Sequence, residues 1–285
     1  MNAKRESMAM LEHRRGLELK TERAEHWLQA RLCSIGQGFP RDSFSAAAET
    51  ILLLEWRTTM HAANSAVASR KGHKGVGMEG FIATWYARQT AKDMERFRSL
   101  ARRLAPRIKP RDRVLEIAPG PGYLAIELAK LTNCRMVGVD ISSSFIRMAR
   151  ENAEKAGVDI AFDEGDAADL PLPSDGFDLI VCCAAFKNFT RPLDALDEMY
   201  RVLKPGGTAL MVDLRKDFSP QEINDYVRGK GLINSTIIKL TFNTMLKKRA
   251  YTCEAIAQLA ARSRFGHGDL QLDALAFELW LHKPQ

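Results

Sequence analysis

What the chain lacks narrows its function before any motif is considered. Among its 285 residues no apolar run approaches the roughly 20 needed to span a bilayer; Ile51-Leu52-Leu53-Leu54 is the longest near the start. The first residues, Met1-Asn2-Ala3-Lys4-Arg5-Glu6-Ser7, carry no apolar core of the secretory-leader kind, so the expectation is a soluble, cytoplasmic protein. The five cysteines (Cys33, Cys134, Cys182, Cys183, Cys253) are odd in number and show no CxxC spacing, which excludes a disulfide framework and a zinc cluster. The six histidines form no pair at ligand spacing, so no metal site is expected. Long runs of one charge are also missing. The net charge of +7 is spread among acids, and the densest basic cluster is Lys247-Lys248-Arg249, which argues for a solvated surface and against a nucleic-acid partner.

What remains is ordinary soluble-enzyme composition, 46% hydrophobic and 27% charged, in a chain long enough for one large domain and an appendage. Residues 1–70 read as helical, with Ile51, Leu54 and Met60 on one face of a segment over 46–66. The stretch 70–80 is rich in glycine and basic residues and reads as a mobile linker. A single helix is expected over 81–104, with Phe81, Trp85, Met94, Phe97, Leu100 and Leu104 near helical spacing and Pro106 and Pro110 beyond it.

From Arg113 the period changes. Strands over 114–117, 135–139, 160–162, 177–184 and 208–213 alternate with helices ending at Leu131 and Ala156 and running over 192–203. Residues 219–265 read as largely helical, and 269–272 with 277–281 as a terminal, antiparallel pair of strands. The predicted fold class is α/β: a doubly wound, mostly parallel seven-stranded Rossmann-like sheet, with an N-terminal helical extension and a helical insertion after the fifth strand. The expected division is a helical extension or lid at 1–75 and a cofactor-binding domain at 76–285, the insertion lying at about 216–250.

Chemistry concentrates in Val114-Leu115-Glu116-Ile117-Ala118-Pro119-Gly120-Pro121-Gly122. A carboxylate ends a buried strand, and a glycine turn then opens a helix, so backbone N–H groups can approach a ligand closely. Gly120-Pro121-Gly122-Tyr123-Leu124-Ala125 formally fits a dinucleotide fingerprint. Glu116 opposes that reading, because a pyrophosphate there would meet an extra negative charge, whereas a cationic ligand would be favoured. Asp140 closes the second strand about twenty residues past the loop, where a carboxylate can accept from ribose hydroxyls. Ser142 is placed to cap the next helix. Gly165-Asp166-Ala167 follows the third strand, and Lys204-Pro205-Gly206-Gly207 reads as the turn before the fifth.

With Val139-Asp140-Ile141-Ser142, Leu170-Pro171, Phe177-Asp178-Leu179-Ile180-Val181-Cys182, Phe186-Lys187-Asn188-Phe189 and Arg201-Val202-Leu203-Lys204-Pro205-Gly206-Gly207, these motifs fall in order over 113–213. In that span the chain resembles class I S-adenosylmethionine-dependent methyltransferases, near the small-molecule group of ubiquinone/menaquinone C-methyltransferases. The resemblance implies S-adenosyl-L-methionine as cofactor, held along Glu116, Ala118, Pro119, Gly120 and Gly122. Asp140 would take the ribose, Ile141 would pack on adenine, and Asp166 with Ala167 would face its edge. One departure is Ala118, where the family usually has Gly; a methyl is expected to fit an extended turn there. The segment after the fourth strand is not the Asn/Asp-Pro-Pro-aromatic signature of amino methylation on nucleic-acid bases.

The implied activity is methyl transfer by in-line displacement to a small, partly apolar metabolite, with Tyr86 and Asn188 as candidate catalytic residues. The pocket is expected to be capped by the N-terminal helices and by Leu240, Phe242, Met245 and Tyr251. The alternatives are a cyclase or carbon–sulfur-cleaving enzyme releasing methylthioadenosine, and a non-catalytic cofactor-binding subunit. Cys182 and Cys183 read as buried small hydrophobes. A homodimer is left open.

Overall fold

The computed structural model describes residues 72–74, 77–228 and 249–285. The helices expected over 1–70 and the apolar residues Leu240, Phe242 and Met245 lie outside the described residues.

The described chain builds a sheet of seven strands in the order β3-β2-β1-β4-β5-β7-β6: β1 Arg113–Ile117, β2 Arg135–Asp140, β3 Ile160–Glu164, β4 Phe177–Cys183, β5 Leu203–Leu214, β6 Asp269–Asp273 and β7 Ala276–His282. The first five are parallel; β7 runs antiparallel to β5, and β6 antiparallel to β7, as the sequence predicts. The helices are α1 Gly80–Thr90, α2 Met94–Leu104, α3 Tyr123–Leu131, α4 Ser143–Ala156, α5 Pro192–Val202, α6 Pro220–Val227 and α7 Cys253–Arg262.

Near-continuous apolar strands dictate two covered faces, because successive side chains leave a strand on opposite sides. Val114, Leu179, Val181, Leu210 and Trp280 pack with Leu124 and Leu128 of α3, Ala149 of α4 and Leu104 of α2. Their neighbours Leu115, Ile180, Cys182, Ala209, Met211 and Leu279 pack on the other face, against Leu196 and Met199 of α5 and Ile256 of α7. Each such aliphatic or aromatic side chain contributes about 1.5–3 kcal/mol on burial. The helix starts are set locally. Ser142 accepts from the Phe145 N–H, and Ser219 with Glu222 forms a reciprocal capping box at α6.

Three expectations change. The single helix over 81–104 is two, separated by a 3-10 turn at Ala91–Asp93. Thr90 Oγ1 donates back to the Tyr86 and Ala87 carbonyls, and Asp93 leaves helical geometry at φ −117°, ψ 43°. Lys204-Pro205-Gly206-Gly207 is no separate turn but an irregularity inside β5. The ladder with β4 steps from Phe177↔Leu203 to Leu179↔Thr208, and Gly206 takes φ 77°. Within the stretch read as a mobile linker, residues 72–74 are pinned: His73 bridges Phe189, the Lys74 N–H donates to the Asn188 carbonyl at 2.7 Å, and the Thr190 N–H to the Gly72 carbonyl at 3.3 Å.

Candidate active site

The order β2-β1-β4-β5 creates the functional crevice. The chain leaves β1 toward β2 and leaves β4 toward β5, so the carboxyl ends of β1 and β4 diverge, and open parallel sheets bind ligands at such a point. Both ends carry an alanine in the left-handed region, Ala118 at φ 55° and Ala184 at φ 59°. Each still donates its N–H to the neighbouring strand, to the carbonyls of Val139 and Val212, both at 2.7 Å. The expected extended turn at Ala118 is therefore corrected: the main chain reverses sharply there, in a conformation that costs a Cβ-bearing residue about 1–2 kcal/mol. Beyond it, Gly120 takes φ 56° with open space where a Cβ would stand, and Gly122 at φ 80° starts α3 against Ala149 and Phe162. Pro119 anchors the loop by accepting from the Gly122 N–H at 3.0 Å.

Two carboxyl groups face this loop from buried positions. Asp140, 5% exposed, accepts from the Gly120 N–H at 3.0 Å and the Ser142 N–H at 2.9 Å. Burial pushes its pKa up to about 6, and those amides restrain the rise. Glu116, 3% exposed, is pushed by burial to about 8, opposed in part by the Ala125 amide. Its Oε2 has no hydrogen-bond partner. An orphaned buried carboxyl oxygen is costly unless a donor arrives. The chemistry of the spot therefore fits a ligand that brings a cation with N–H donors, such as the ammonium of S-adenosylmethionine, and not a phosphate.

A cavity of about 620 Å³ opens beside Ile141, Glu164, Gly165, Asp166, Asp169 and Arg191. Asp166 accepts from the Ala168 N–H at 3.0 Å and pairs with Arg191 at 3.0 Å, while Ala167 lies partly buried against the core. Gly72 crosses so close that a Cβ would fall 2.6 Å from Ile141 Cδ1 and 2.7 Å from the Asp166 carboxylate. The predicted residues Glu116, Ala118, Pro119, Gly120, Gly122, Asp140, Ile141, Asp166 and Ala167 thus fall along the carboxyl edge of β1, β2 and β3.

The two candidate catalytic residues lie on different elements, α1 and the turn after β4. Tyr86 of α1 packs edge-on against Phe145, with ring centroids 5.7 Å apart. Burial raises its pKa to about 12. Asn188 sits in the turn after β4, where its side-chain oxygen accepts from Arg249 at 3.5 Å. Burial raises Cys182 well above the usual thiol range and raises Cys183, so both stay protonated and neither is an activated nucleophile.

One pair escapes motif reading. Lys187 Nζ meets Asp213 Oδ1 at 2.8 Å, and the Lys187 N–H donates to Oδ2 at 2.9 Å, with both side chains buried. The pair locks the turn after β4 to the end of β5. In sequence Lys187 stands in Phe186-Lys187-Asn188-Phe189 and Asp213 closes the strand over 208–213, with nothing that ties one to the other.

Comparisons with known proteins agree with this geometry. Residues 114–207 match a family model described as a methyltransferase domain. A demethylmenaquinone methyltransferase from Deinococcus radiodurans is 39% identical over 102 residues, 35% of this chain and 42% of that one. A ubiquinone/menaquinone biosynthesis C-methyltransferase from Ectopseudomonas mendocina is 35% identical over 117 residues, 40% of this chain and 46% of that one. The chain thus spans less than half the length of these two curated relatives. Among solved structures, a protein of Methanococcus maripaludis assigned as an S-adenosylmethionine-dependent methyltransferase matches with TM-score 0.60 at 18% identity, over 77% of this chain and 98% of that one. At that identity the match concerns the fold, which is the Rossmann-like fold of these enzymes.

Proposed function

We propose that the protein transfers a methyl group from S-adenosylmethionine to a small, partly apolar molecule in the cytoplasm, with no nucleic acid involved; the match of residues 114–207 to a methyltransferase-domain model supports this reading. The observation that carries this reading is Glu116: a buried carboxyl with an unpartnered oxygen at the end of β1, directly before a glycine loop with room above Gly120. When bound, the cofactor supplies a methyl carbon on a sulfonium, a good leaving group that departs as the neutral thioether.

The chain's own residues would hold and align. Glu116 takes the ammonium and gives up its proton as it does so. Asp140 has lone pairs left after the Gly120 and Ser142 amides, and turns them to the ribose hydroxyls. Ile141 would pack on the adenine, and Asp166 with Ala167 would face its edge. Tyr86 keeps its proton at neutral pH, so it donates a hydrogen bond to the acceptor and does not act as a base. Asn188 orients the acceptor with its amide. Holding nucleophile and methyl carbon in line can contribute roughly 7–11 kcal/mol. The names of the curated relatives, demethylmenaquinone and ubiquinone/menaquinone methyltransferases, point to quinone-type rings as acceptors.

The test is calorimetry with S-adenosylmethionine on the wild type and Asp140→Ala. Saturable binding that the variant loses supports the proposal. Binding unchanged in the variant, or none in the wild type, sinks it. Light scattering checks whether the chain is a homodimer.

A further inference from the structure

Two stretches of the sequence contain no acidic residue. Residues 56–78 hold four Lys or Arg and no Asp or Glu, and residues 226–253 hold six Lys or Arg and no Asp or Glu. Each delivers a cation to the turn that follows β4. Lys74 donates its N–H to the Asn188 carbonyl at 2.7 Å, and its Nζ donates to Tyr251 Oη at 3.3 Å. That Nζ lies 5.4 Å from the Tyr251 ring centre. Arg249, two residues before Tyr251, donates to the Asn188 side chain at 3.5 Å. At the other end of the turn, Arg96 of α2 reaches Cys183 Sγ at 3.8 Å.

Their partners here are a phenol, an amide and a thiol, none of which cancels a charge. The nearby carboxylates are engaged elsewhere. Asp213 is bound to Lys187, while Asp217 and Glu222 are bound to Arg215. Among the described residues no carboxylate lies within ion-pair distance of Lys74 or Arg249, whereas Arg96 also feels the Asp93 carboxylate. Lys74 and Arg249 are partly buried with neutral hydrogen-bond partners among the described residues, so an anion joining them would be favoured. The adenosyl side of the crevice carries Glu116, Asp140 and Asp166, so the electrostatic contrast lies between the two halves of one site.

We propose that the methyl acceptor is an aromatic carboxylate, docked with its ring against Tyr251 and its carboxylate between Lys74 and Arg249. The proposal rests on the methyltransferase reading above and names the class of substrate. Lys74 and Arg249 are then specificity-determining residues. Both project from segments outside the sheet, so they select the acceptor without contributing to cofactor binding.

The experiment measures binding to the full chain saturated with S-adenosylhomocysteine, itself confirmed by calorimetry. The probes are 4-hydroxybenzoate and 1-hydroxy-2-naphthoate, each beside its methyl ester. At least one acid should bind at least about tenfold more tightly than its ester, a 1.4 kcal/mol preference. Lys74→Gln with Arg249→Gln should abolish the preference, and Lys74→Arg with Arg249→Lys should keep it, with S-adenosylhomocysteine affinity unchanged in both. Equal binding of acid and ester, or no binding of either, overturns the proposal. So does binding to phosphatidylglycerol vesicles that disappears in the Gln variant without any acid preference, because the cations would then serve a membrane surface. Failure of S-adenosylhomocysteine to bind strikes the methyltransferase reading instead, and acid-over-ester binding measured without it would leave the anion site standing.

Discussion

The two halves of the crevice are built on different principles. On the β1–β2–β3 side the functional groups lie within a few residues of strand ends and are held by local backbone bonds: Asp140 to the Gly120 and Ser142 amides, Asp166 to the Ala168 amide. On the β4–β5 side they come from distant segments and meet through side chains: Lys187 with Asp213, Lys74 with Tyr251, Arg249 with Asn188. The first half gathers carboxyl groups around a compact loop. The second brings cations and phenols from segments outside the sheet, and the buried Lys187–Asp213 pair fastens the turn after β4 to β5. The proposed methyl transfer, with one fixed cofactor and a variable acceptor, would call for such a division, since loops can change while the scaffold keeps its geometry.

The largest expected effect falls on the second half. Removing one partner of the buried Lys187–Asp213 pair leaves the other charge uncompensated, at a cost of about 3–5 kcal/mol. Chemical denaturation of Lys187→Met should show this loss, and the double variant Lys187→Met with Asp213→Leu should recover most of it. A single variant as stable as the wild type would show that the pair does not lock β4 to β5. Next comes Asp140→Ala on the first half. Losing a charged acceptor for two ribose hydroxyls should weaken cofactor binding about a hundredfold in calorimetry, while unfolding stays cooperative.

The contrast explains what could be read in advance. Strand alternation, the glycine loop, Asp140 and Gly165-Asp166-Ala167 are contiguous patterns whose physics is local, so the fold and the placing of these residues at the carboxyl ends of the strands were legible in sequence. Asp213 looked like the last residue of an apolar run, and nothing in its neighbours tied it to Lys187. The break between α1 and α2 was hidden because apolar spacing continues across it, while Thr90 and Asp93 decide it through hydrogen bonding and backbone angle. Ala118 was legible as a departure but not as strain, because the turn's handedness appears only in the backbone.

The raised carboxyl groups make the first half sensitive to pH. Asp140 titrates near 6 in the folded chain against an ordinary 3.8, and Glu116 near 8 against 4.5. Between about pH 4 and pH 8 the folded state therefore holds protons that the unfolded chain has released. Native stability of the free protein should fall as pH rises through that window, by at most about 1.4 kcal/mol per pH unit for each titrating group. Saturating S-adenosylmethionine should flatten the upper part of the slope, since an ammonium beside Glu116 favours its charged form. Cofactor binding at pH 7 should accordingly release a proton, seen as a dependence of the calorimetric heat on buffer ionisation enthalpy, and Glu116→Gln should remove it. A wild-type heat that ignores the buffer would show that Glu116 is already ionised or does not meet the ligand.

The smallest effect concerns the alanine where β1 ends. Ala118 holds φ 55°, a region open to glycine and strained for a residue with a Cβ. Ala118→Gly removes that strain but gives the unfolded chain more freedom, and the two terms oppose each other. With strain of about 1–2 kcal/mol and an entropic loss of about 0.4–1 kcal/mol, the variant should be more stable by up to about 1.6 kcal/mol, a rise of a few degrees in Tm. The matching exchange Ala184→Gly, at φ 59° where β4 ends, should act alike on stability. The two should separate in binding: Ala118→Gly alters affinity for S-adenosylmethionine, because the methyl lies beside the Glu116 loop, and Ala184→Gly leaves it alone. If both variants change cofactor affinity equally, the crevice is not divided between its two strand ends as the geometry indicates.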